Sequence, residues 1–464
     1  MTTKRYWSPF AWVDGEWRKD VLLEVSPNGT WADIAPDTRP IPPDTTVLSG
    51  PILPGLVNAH SHTFQRAFAG LAERRDAAED DFWSWRDRMY SVANRVTASQ
   101  LHTIAKQLYI ELLKGGYTQV CEFHYLQRDE NAKPYDSPYE LAWEIASAAT
   151  NIGIGITILP SLYEHAGFDH PGVNTSQQRF LTSPEFVYGL HKDIMRSSLN
   201  LVNSGVSIHS LRAASPPSIA KLLSLVGSDD IPIHIHIAEQ SKELTDCVAA
   251  TGVRPIEYLC GLVNTDARWQ LIHAIHATQC EIQLVAASEA GIVICPSTEA
   301  NLGDGLVALA DWLDAGVPVT IGSDSHVCRN WSEEIRWLEY SQRLHLQKRN
   351  IAASPQSRQP STAARLFNAV LNGGGGAAGF TKWGLEIGAR ADFLVVNPNS
   401  ASLLGIPAPF MLDSIIFSAG EPTINDVYVA GALIITNGRH PQEKEVAEQF
   451  ASVMRSLWQR SPEV

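Results

Sequence analysis

Two histidines separated by one residue follow an apolar run early in the chain. In the stretch PGLVNAHSHTFQRAF, His60 and His62 would point to the same side of a β-strand, because side chains alternate between its two faces. Two imidazole groups on one side of a strand are the beginning of a metal site. The spacing alone is a weak signal, since two polar histidines in a loop would also produce it.

Later apolar runs end in further candidate ligands. IPIHIHIAEQ alternates strictly, so His234 and His236 share the face opposite to the isoleucines. We predict that His236, nearer the carboxyl end of the run, binds the metal and that His234 is a buried, hydrogen-bonded core residue. LIHAIH places His273 at the end of another run, and we expect His276 outside the site as a helix residue. Asp324 follows VPVTIGS, where an aspartate could ligate a metal, accept a proton from water or simply cap a helix.

Glu239 adds a candidate proton carrier. It follows His236 by three residues, just beyond the apolar run. Far from a metal it would be an ordinary solvated glutamate, but next to one it could move protons. A metal held by imidazoles and a carboxylate activates water, so the set is typical of metal-assisted hydrolysis.

The elements that must position these residues follow a repeating pattern. Eight β-like runs recur between residues 52 and 325, and helix-like segments such as 99–116 and 137–153 fill most of the intervals. Strands that alternate with helices favour an α/β fold, and eight such units suit a (β/α)8 TIM-like barrel. The candidate residues end the first, fifth, sixth and eighth runs, which is the end of a barrel where active sites form. Each residue alone has a structural explanation, but the whole set favours a metal site.

Both ends of the chain differ from this pattern. Residues 10–50 and 385–438 contain short alternating runs with turn signals, which indicate β-structure. We therefore predict a small β-sandwich built from both termini, and we expect the GGGGAAG run at 373–379 to be a flexible connection near the junction. The predicted divisions are a β-sandwich at 1–53 and 384–445, a barrel at 54–383 and a C-terminal helical tail at 446–464.

The composition excludes several classes of partner. The chain has 464 residues, of which 44% are hydrophobic and 19% charged, so it can bury a large core. Its formal net charge of −14 argues against nucleic acid or an anionic membrane surface as the main partner. The six cysteines form no CxxC pair, the first residues lack an apolar signal region, and no run approaches about 20 apolar residues. We therefore expect a cytoplasmic protein without a membrane span.

The ordered set of ligands resembles the amidohydrolase superfamily over essentially the whole chain. The HxAE form of His236, Ala238 and Glu239 is similar to the mononuclear deaminase branch, and the fourth run, VSIHSL, lacks a lysine that could bridge two metals. The resemblance implies one metal ion per subunit, with His273 beside the metal-bound water and with Glu239, His273 and Asp324 as catalytic groups. Zinc suits these ligands, whereas iron and manganese remain open. The implied metal ligands are His60, His62, His236 and Asp324.

Several longer stretches resemble one family of this branch, the N-formimidoyl-L-glutamate deiminases. They are NAHSHTFQRAFAG, FWSWRDRMY, CEFHYL, SIHSLRA, HIHIAEQ and GSDSH. The resemblance implies hydrolysis of a small anionic amino-acid derivative, N-formimidoyl-L-glutamate, to N-formyl-L-glutamate and ammonia in histidine degradation. It also implies a homodimer.

A substrate with two carboxylates needs fixed cations, and the planar fork of arginine suits a carboxylate. Arg86 and Arg212 are the candidates, although either alone could be a surface arginine. Arg66 we expect to be structural, and the segment 64–98 is a candidate lid. The residues that match the family's substrate-binding positions are Gln65, Arg86, Tyr125, His209 and Arg212.

Three alternative functions stay open. A deaminase of guanine or of a related aminated heterocycle would use the same chemistry without needing the two arginines. Hydrolysis of the other C–N bond of the same substrate would give glutamate and formamide. A barrel that serves as a scaffold would have lost its metal ligands, which are all present here.

Overall fold

The computed structural model describes residues 3–75 and 82–459. The strands are β1 (Lys4–Val13), β2 (Glu16–Val25), β3 (Trp31–Ala35), β4 (Thr46–Val47), β5 (Ile52–Pro54), β6 (Leu56–Ser61), β7 (Tyr117–His124), β8 (Gly155–Leu162), β9 (Val202–Ser204), β10 (Val206–Ser210), β11 (Ile233–Ile237), β12 (Trp269–His273), β13 (Gly291–Ile294), β14 (Val319–Ile321), β15 (Phe393–Val396), β16 (Ile424–Val429) and β17 (Ala432–Ile435).

Helices fill most of the intervals between the strands of the central part. They are α1 (Phe82–Ala93), α2 (Ala98–Lys114), α3 (Glu140–Ile152), α4 (Pro184–Met195), α5 (Pro216–Val226), α6 (Ser241–Thr251), α7 (Pro255–Leu262), α8 (Gln279–Ser288), α9 (Pro296–Leu302), α10 (Leu309–Asp314), α11 (Trp331–Leu346), α12 (Thr362–Ala377), α13 (Met411–Phe417) and α14 (Glu443–Gln459). Short 3-10 helices span Thr63–Ala67, Thr175–Phe180, Pro355–Ser357 and Ala408–Phe410. Within the described ranges, no helix is both long and apolar enough to span a membrane.

Eight parallel strands form the predicted barrel. They are hydrogen-bonded in the order β6, β7, β8, β10, β11, β12, β13 and β14, with β9 beside β8. The first and last strands meet through a parallel bridge between Ser61 and Asp324, where the backbone oxygen of His60 accepts hydrogen bonds from Ser323 N and Asp324 N at 3.1 and 2.9 Å. This closure brings the HxH pair next to Asp324, although more than half of the chain separates them.

The strict alternation of β11 is confirmed. Ile233, Ile235 and Ile237 are fully buried in the hydrophobic core, while the two histidines of the strand take the opposite face. His234 is a buried, hydrogen-bonded core residue, as predicted: its Nε2 donates a hydrogen bond to the backbone oxygen of Ala377 at 2.8 Å, whereas its Nδ1 has no partner among the described residues.

The chain termini share a second sheet, as the sequence predicts. Its strand order is β17, β16, β15, β5, β1, β2 and β3, with β4 paired to β1. In β15, Phe393 and Val395 face a separate small core, whereas Leu394 and Val396 belong to the main core. Period-two alternation therefore lets one strand contribute both to the terminal β-structure and to its packing against the barrel. The division of the chain into domains by residue number remains a prediction.

The glycine run at 373–379 is not a flexible connection, so that prediction is wrong. Its first five residues belong to α12. A Cβ atom on Gly373 would lie 2.7 Å from the backbone oxygen of Val319, and one on Gly374 would lie 3.0 Å from Val57 Cβ. The glycines let the helix approach the barrel strands more closely than any side chain would allow.

Most of the predicted C-terminal tail at 446–464 belongs to α14, which begins before the tail at Glu443 and is described to Gln459. Trp458 Nε1 donates a hydrogen bond to the backbone oxygen of Ala67 at 3.2 Å, and its ring stacks on Phe68. The helix therefore packs against the segment that follows the HxH pair, whereas residues 460–464 lie outside the described part of the chain.

Candidate metal centre and substrate cavity

A cavity lies at the carboxyl ends of the barrel strands. His60 lies beneath it, fully buried, with its ring against that of His236. The remaining predicted site residues all line the cavity: His62, Gln65, Arg86, Tyr125, His209, Arg212, His236, Glu239, His273 and Asp324. The structure thus brings together in one place every residue that the sequence singles out for chemistry.

The predicted metal ligands converge at the base of the cavity. Asp324 Oδ1 lies 3.5 Å from His60 Nε2 and 3.4 Å from His62 Nε2. His236 Nε2 lies 3.0 Å from His60 Nε2. Ligand atoms from His60, His62 and Asp324 lie within 4.8 Å of one another, as do those of His60, His236 and His273. Such clusters of imidazole and carboxylate groups can hold a metal ion.

Hydrogen bonds behind the cluster orient two of the imidazoles. His62 Nδ1 donates to the backbone oxygen of Phe123 at 3.0 Å, and His236 Nδ1 donates to that of His209 at 2.9 Å. Each ring therefore directs an unprotonated Nε2 at the centre of the cluster. Burial lowers the pKa of His62 to about 3 and that of His236 well below its ordinary value, so both rings are neutral. Converging lone pairs of neutral imidazoles fit a bound cation.

His273 lies between the metal cluster and three acids. Its Nε2 is 3.9 Å from Asp324 Oδ2 and 3.7 Å from Glu239 Oε1, and its Nδ1 is 3.3 Å from Glu299 Oε1. Burial alone would lower the pKa of His273, but Glu239, Cys295 and Glu299 together raise it well above the ordinary value. Burial also raises the pKa of Asp324 to about 7. These side chains are close enough to exchange protons with one another or through one water molecule.

The backbone turns sharply where the catalytic candidates leave their strands. Ala238, His273 and Asp324 have φ angles of 52°, 71° and 44°, in the left-handed region that residues other than glycine seldom adopt. Strained conformations of this kind cluster at functional sites because the surrounding structure holds them there. Here they occur at the carboxyl ends of β11, β12 and β14, and the side chains of His273 and Asp324 line the cavity.

Two arginines line the same cavity as the metal cluster. Arg86 lies on α1 and Arg212 follows β10; their guanidinium carbons are 4.4 and 5.8 Å from the ring of Trp83. Arg86 Nε and Arg212 Nη1 are buried and have no hydrogen-bond partner among the described residues. A buried cationic donor without a partner is costly, so these atoms favour an anionic ligand.

Further polar side chains line the wall of the cavity. Gln65 Nε2 donates a hydrogen bond to the Tyr125 hydroxyl at 3.1 Å, and Gln65 Oε1 is buried without a partner within the described ranges. The His209 ring packs edge-on against Tyr125 and Tyr163. Arg66 points away and pairs with Glu111 at 2.7 Å, as expected for a structural residue.

The sequence did not predict two acids near the site, Glu243 and Glu299, and it predicted the wrong local structure for His276. Glu243 on α6 lines the cavity and accepts hydrogen bonds from the backbone nitrogens of Ala238 and Glu239, which fixes the loop that carries Glu239. Glu299 on α9 contacts His273. Both acids lie in the first turn of a helix that follows a barrel strand, a signal that could have found them. His276 lies in the turn before α8 and not in a helix, which corrects that prediction.

Comparisons with known proteins define the class. Residues 52–434 match the amidohydrolase family. The chain is 43% identical over 443 residues to formimidoylglutamate deiminase of Pseudomonas aeruginosa, with 95% of this chain and 96% of the relative covered. The chain therefore belongs to the amidohydrolase family.

Solved structures agree with this assignment. The crystal structure of an amidohydrolase from Brucella melitensis superposes with a TM-score of 0.92 and 37% sequence identity, covering 98% of this chain and 99% of the other. A zinc-bound adenosine deaminase from Xanthomonas campestris superposes with a TM-score of 0.80, covering 98% of both chains. At 20% identity, the second comparison shows a shared fold and nothing finer.

Proposed function

We propose that this chain hydrolyses N-formimidoyl-L-glutamate to N-formyl-L-glutamate and ammonia. The observation that carries the proposal is the polarity of the cavity. It holds two arginines with unpartnered buried nitrogens as well as a cluster of imidazoles and carboxylates. A substrate with two carboxylates and an amidine matches this combination, and the 43% identical Pseudomonas aeruginosa relative carries the corresponding name.

Binding begins with the carboxylates. We assign Arg86 and Arg212 to the two carboxylates, since charge-assisted bonds from a guanidinium are strong and directional. Gln65 offers an unpartnered oxygen that can accept a hydrogen bond from an amidine N–H. Tyr125 and His209 complete the wall around the formimidoyl group. The amidine carbon is thereby held next to the metal cluster.

We assign His60, His62, His236 and Asp324 as the ligands of one metal ion, with zinc as the metal. The ion, when bound, supplies Lewis-acid activation of water for attack on the amidine carbon. The set of three imidazoles and one carboxylate suits zinc, and the Xanthomonas campestris structure contains zinc.

The residues near the cluster then move protons. Asp324 Oδ2 takes the first proton of the attacking water, and His273 Nε2, 3.9 Å away, orients that water. Glu239 Oε1, 3.7 Å from His273 Nε2, delivers a proton to the terminal nitrogen of the substrate. The bond from carbon to this nitrogen breaks and ammonia leaves, while the oxygen from water gives its second proton to Glu239 and remains in the formyl group.

The proposal also covers the oligomeric state and the cellular location of the protein. We propose that the chain forms a homodimer and acts in the cytoplasm. Light scattering of the purified protein would test the first property, and fractionation of cells that express it would test the second.

The arginine pair provides the test. We expect Arg86→Met and Arg212→Met each to lower kcat/KM for N-formimidoyl-L-glutamate by about 10- to 100-fold, the equivalent of one lost charged hydrogen bond. Lys242→Met is a matched control, because Lys242 also lies near the Trp83 ring but already pairs with Asp246 at 2.8 Å.

Steady-state kinetics on this substrate, with guanine and adenosine alongside, separates the outcomes. Wild-type turnover of the glutamate derivative with losses in both arginine variants but not in Lys242→Met supports the proposal. Turnover of a purine instead, insensitive to both arginines, would replace it with a heterocycle deaminase.

A further inference from the structure

The two ring nitrogens of His273 face different groups. Nε2 faces Asp324 and Glu239, whereas Nδ1 lies 3.3 Å from Glu299 Oε1. A neutral imidazole has one donor and one acceptor nitrogen, so the partner of one nitrogen decides what the other can do. The side chain that contacts Nδ1 therefore affects what Nε2 can do toward Asp324 and Glu239.

Glu299 is held firmly enough to fix this ring. It is buried on α9, and its Oε1 accepts a hydrogen bond from Cys295 N at 2.9 Å. Its backbone oxygen accepts another from Asp304 N at 3.0 Å. His273 Nδ1 lies 3.3 Å from this fixed oxygen, in a position to donate its N–H to it.

We propose that Glu299 is a positioning residue for hydrolysis. By accepting the Nδ1–H of His273, it fixes the orientation of the ring and directs Nε2 at Asp324 and Glu239. This inference rests on the proposed function and deepens it, because it assigns a role to an acid that does not line the cavity.

Glu334 on α11 is a matched control for the structural contribution of such an acid. It is equally buried and anchors the start of α9 by accepting hydrogen bonds from Ser297 N at 2.9 Å and Ser297 Oγ at 2.6 Å. None of its described hydrogen bonds involves His273. Loss of Glu334 therefore reports on the anchoring of α9 without removing a hydrogen bond to His273.

Substitutions at the two acids separate positioning from anchoring. We expect Glu299→Leu to lower kcat about 10- to 100-fold, the usual effect of losing a partner behind a reactive histidine, with little change in KM. Glu299→Gln keeps an oxygen acceptor, so it should restore most of the activity. Glu334→Leu should keep most of the wild-type kcat. Wild-type kcat in Glu299→Leu, or an equal loss in Glu334→Leu, would overturn the proposal.

Nitrogen NMR tests the same idea without turnover. In the zinc-loaded wild-type protein with 15N-labelled histidine, the signals of His273 are assigned by their absence in His273→Gln. An Nδ1 signal that shifts in Glu299→Leu supports the proposal, and an Nδ1 signal unchanged in Glu299→Leu overturns it. If N-formimidoyl-L-glutamate is not turned over, the proposed function fails, but this measurement still decides the role of Glu299.

Discussion

At the scale of single residues, position along a strand separates a structural histidine from a candidate ligand. His234 and His236 share one face of β11, but His234 donates to the backbone of Ala377 near the lower end of the barrel. His236 reaches the metal cluster, with its Nε2 3.0 Å from that of His60. A histidine therefore has a structural role at position 234 and is a candidate metal ligand two residues later, at position 236.

This pair gives a direct prediction. We expect His236→Asn to lose most of the bound metal, because it removes one of four ligands. His234→Asn should keep the metal and unfold at a lower temperature, since it disturbs a buried hydrogen bond. Metal content by mass spectrometry and thermal unfolding of both variants check this. Metal loss in His234→Asn with retention in His236→Asn would reverse the assignment.

The same scale shows what the sequence could not predict. His60 and Asp324 are recognisable because each follows an apolar run, and barrel topology places such ends together. Glu243 and Glu299 belong to helices, and their importance depends on which backbone and ring atoms they meet. A spacing pattern can place both acids in the first turn of a helix that follows a barrel strand, but it does not give the contacts that they make with distant segments.

At the scale of elements, the alternation of side chains between the two faces of a strand predicted the strands correctly. The glycine run at 373–379 led to the wrong prediction of a flexible connection. A cluster of glycines is a signal of flexibility when judged locally. In α12 the glycines instead let a helix pack directly against β6 and β14, whose backbone leaves no space for a Cβ atom. The packing of α12 against the barrel makes this run helical, and the local composition gives no sign of that packing.

Neighbouring glycines of α12 allow a matched test. We expect Gly373→Ala to lower the free energy of unfolding by about 1–3 kcal/mol, because the added methyl group collides with the backbone of β14. Gly376 has no atom near its Cβ position, so Gly376→Ala should be neutral or raise the free energy of unfolding by up to about 1 kcal/mol through helix propensity. Unfolding curves of both variants measure the difference, and equal behaviour would contradict the packing explanation.

At the scale of the whole molecule, barrel closure turns a linear pattern into a site. The bridge from Ser61 to Asp324 joins the first and last strands, and α1 brings Arg86 over the open end. The predicted lid, 64–98, contributes α1 and Gln65 to the cavity, while residues 76–81 of that segment lie outside the described chain. Whether the segment moves is a separate prediction, but its described part already forms one wall of the cavity.

The central claim is that hydrolysis releases the terminal nitrogen of N-formimidoyl-L-glutamate. The most direct measurement uses substrate labelled with 15N at that nitrogen, in water enriched in 18O, with mass spectrometry of the products. We predict 15N in ammonia and 18O in the formyl group of N-formyl-L-glutamate. Formamide that carries both labels, together with unlabelled glutamate, would contradict the claim and show that the other C–N bond breaks.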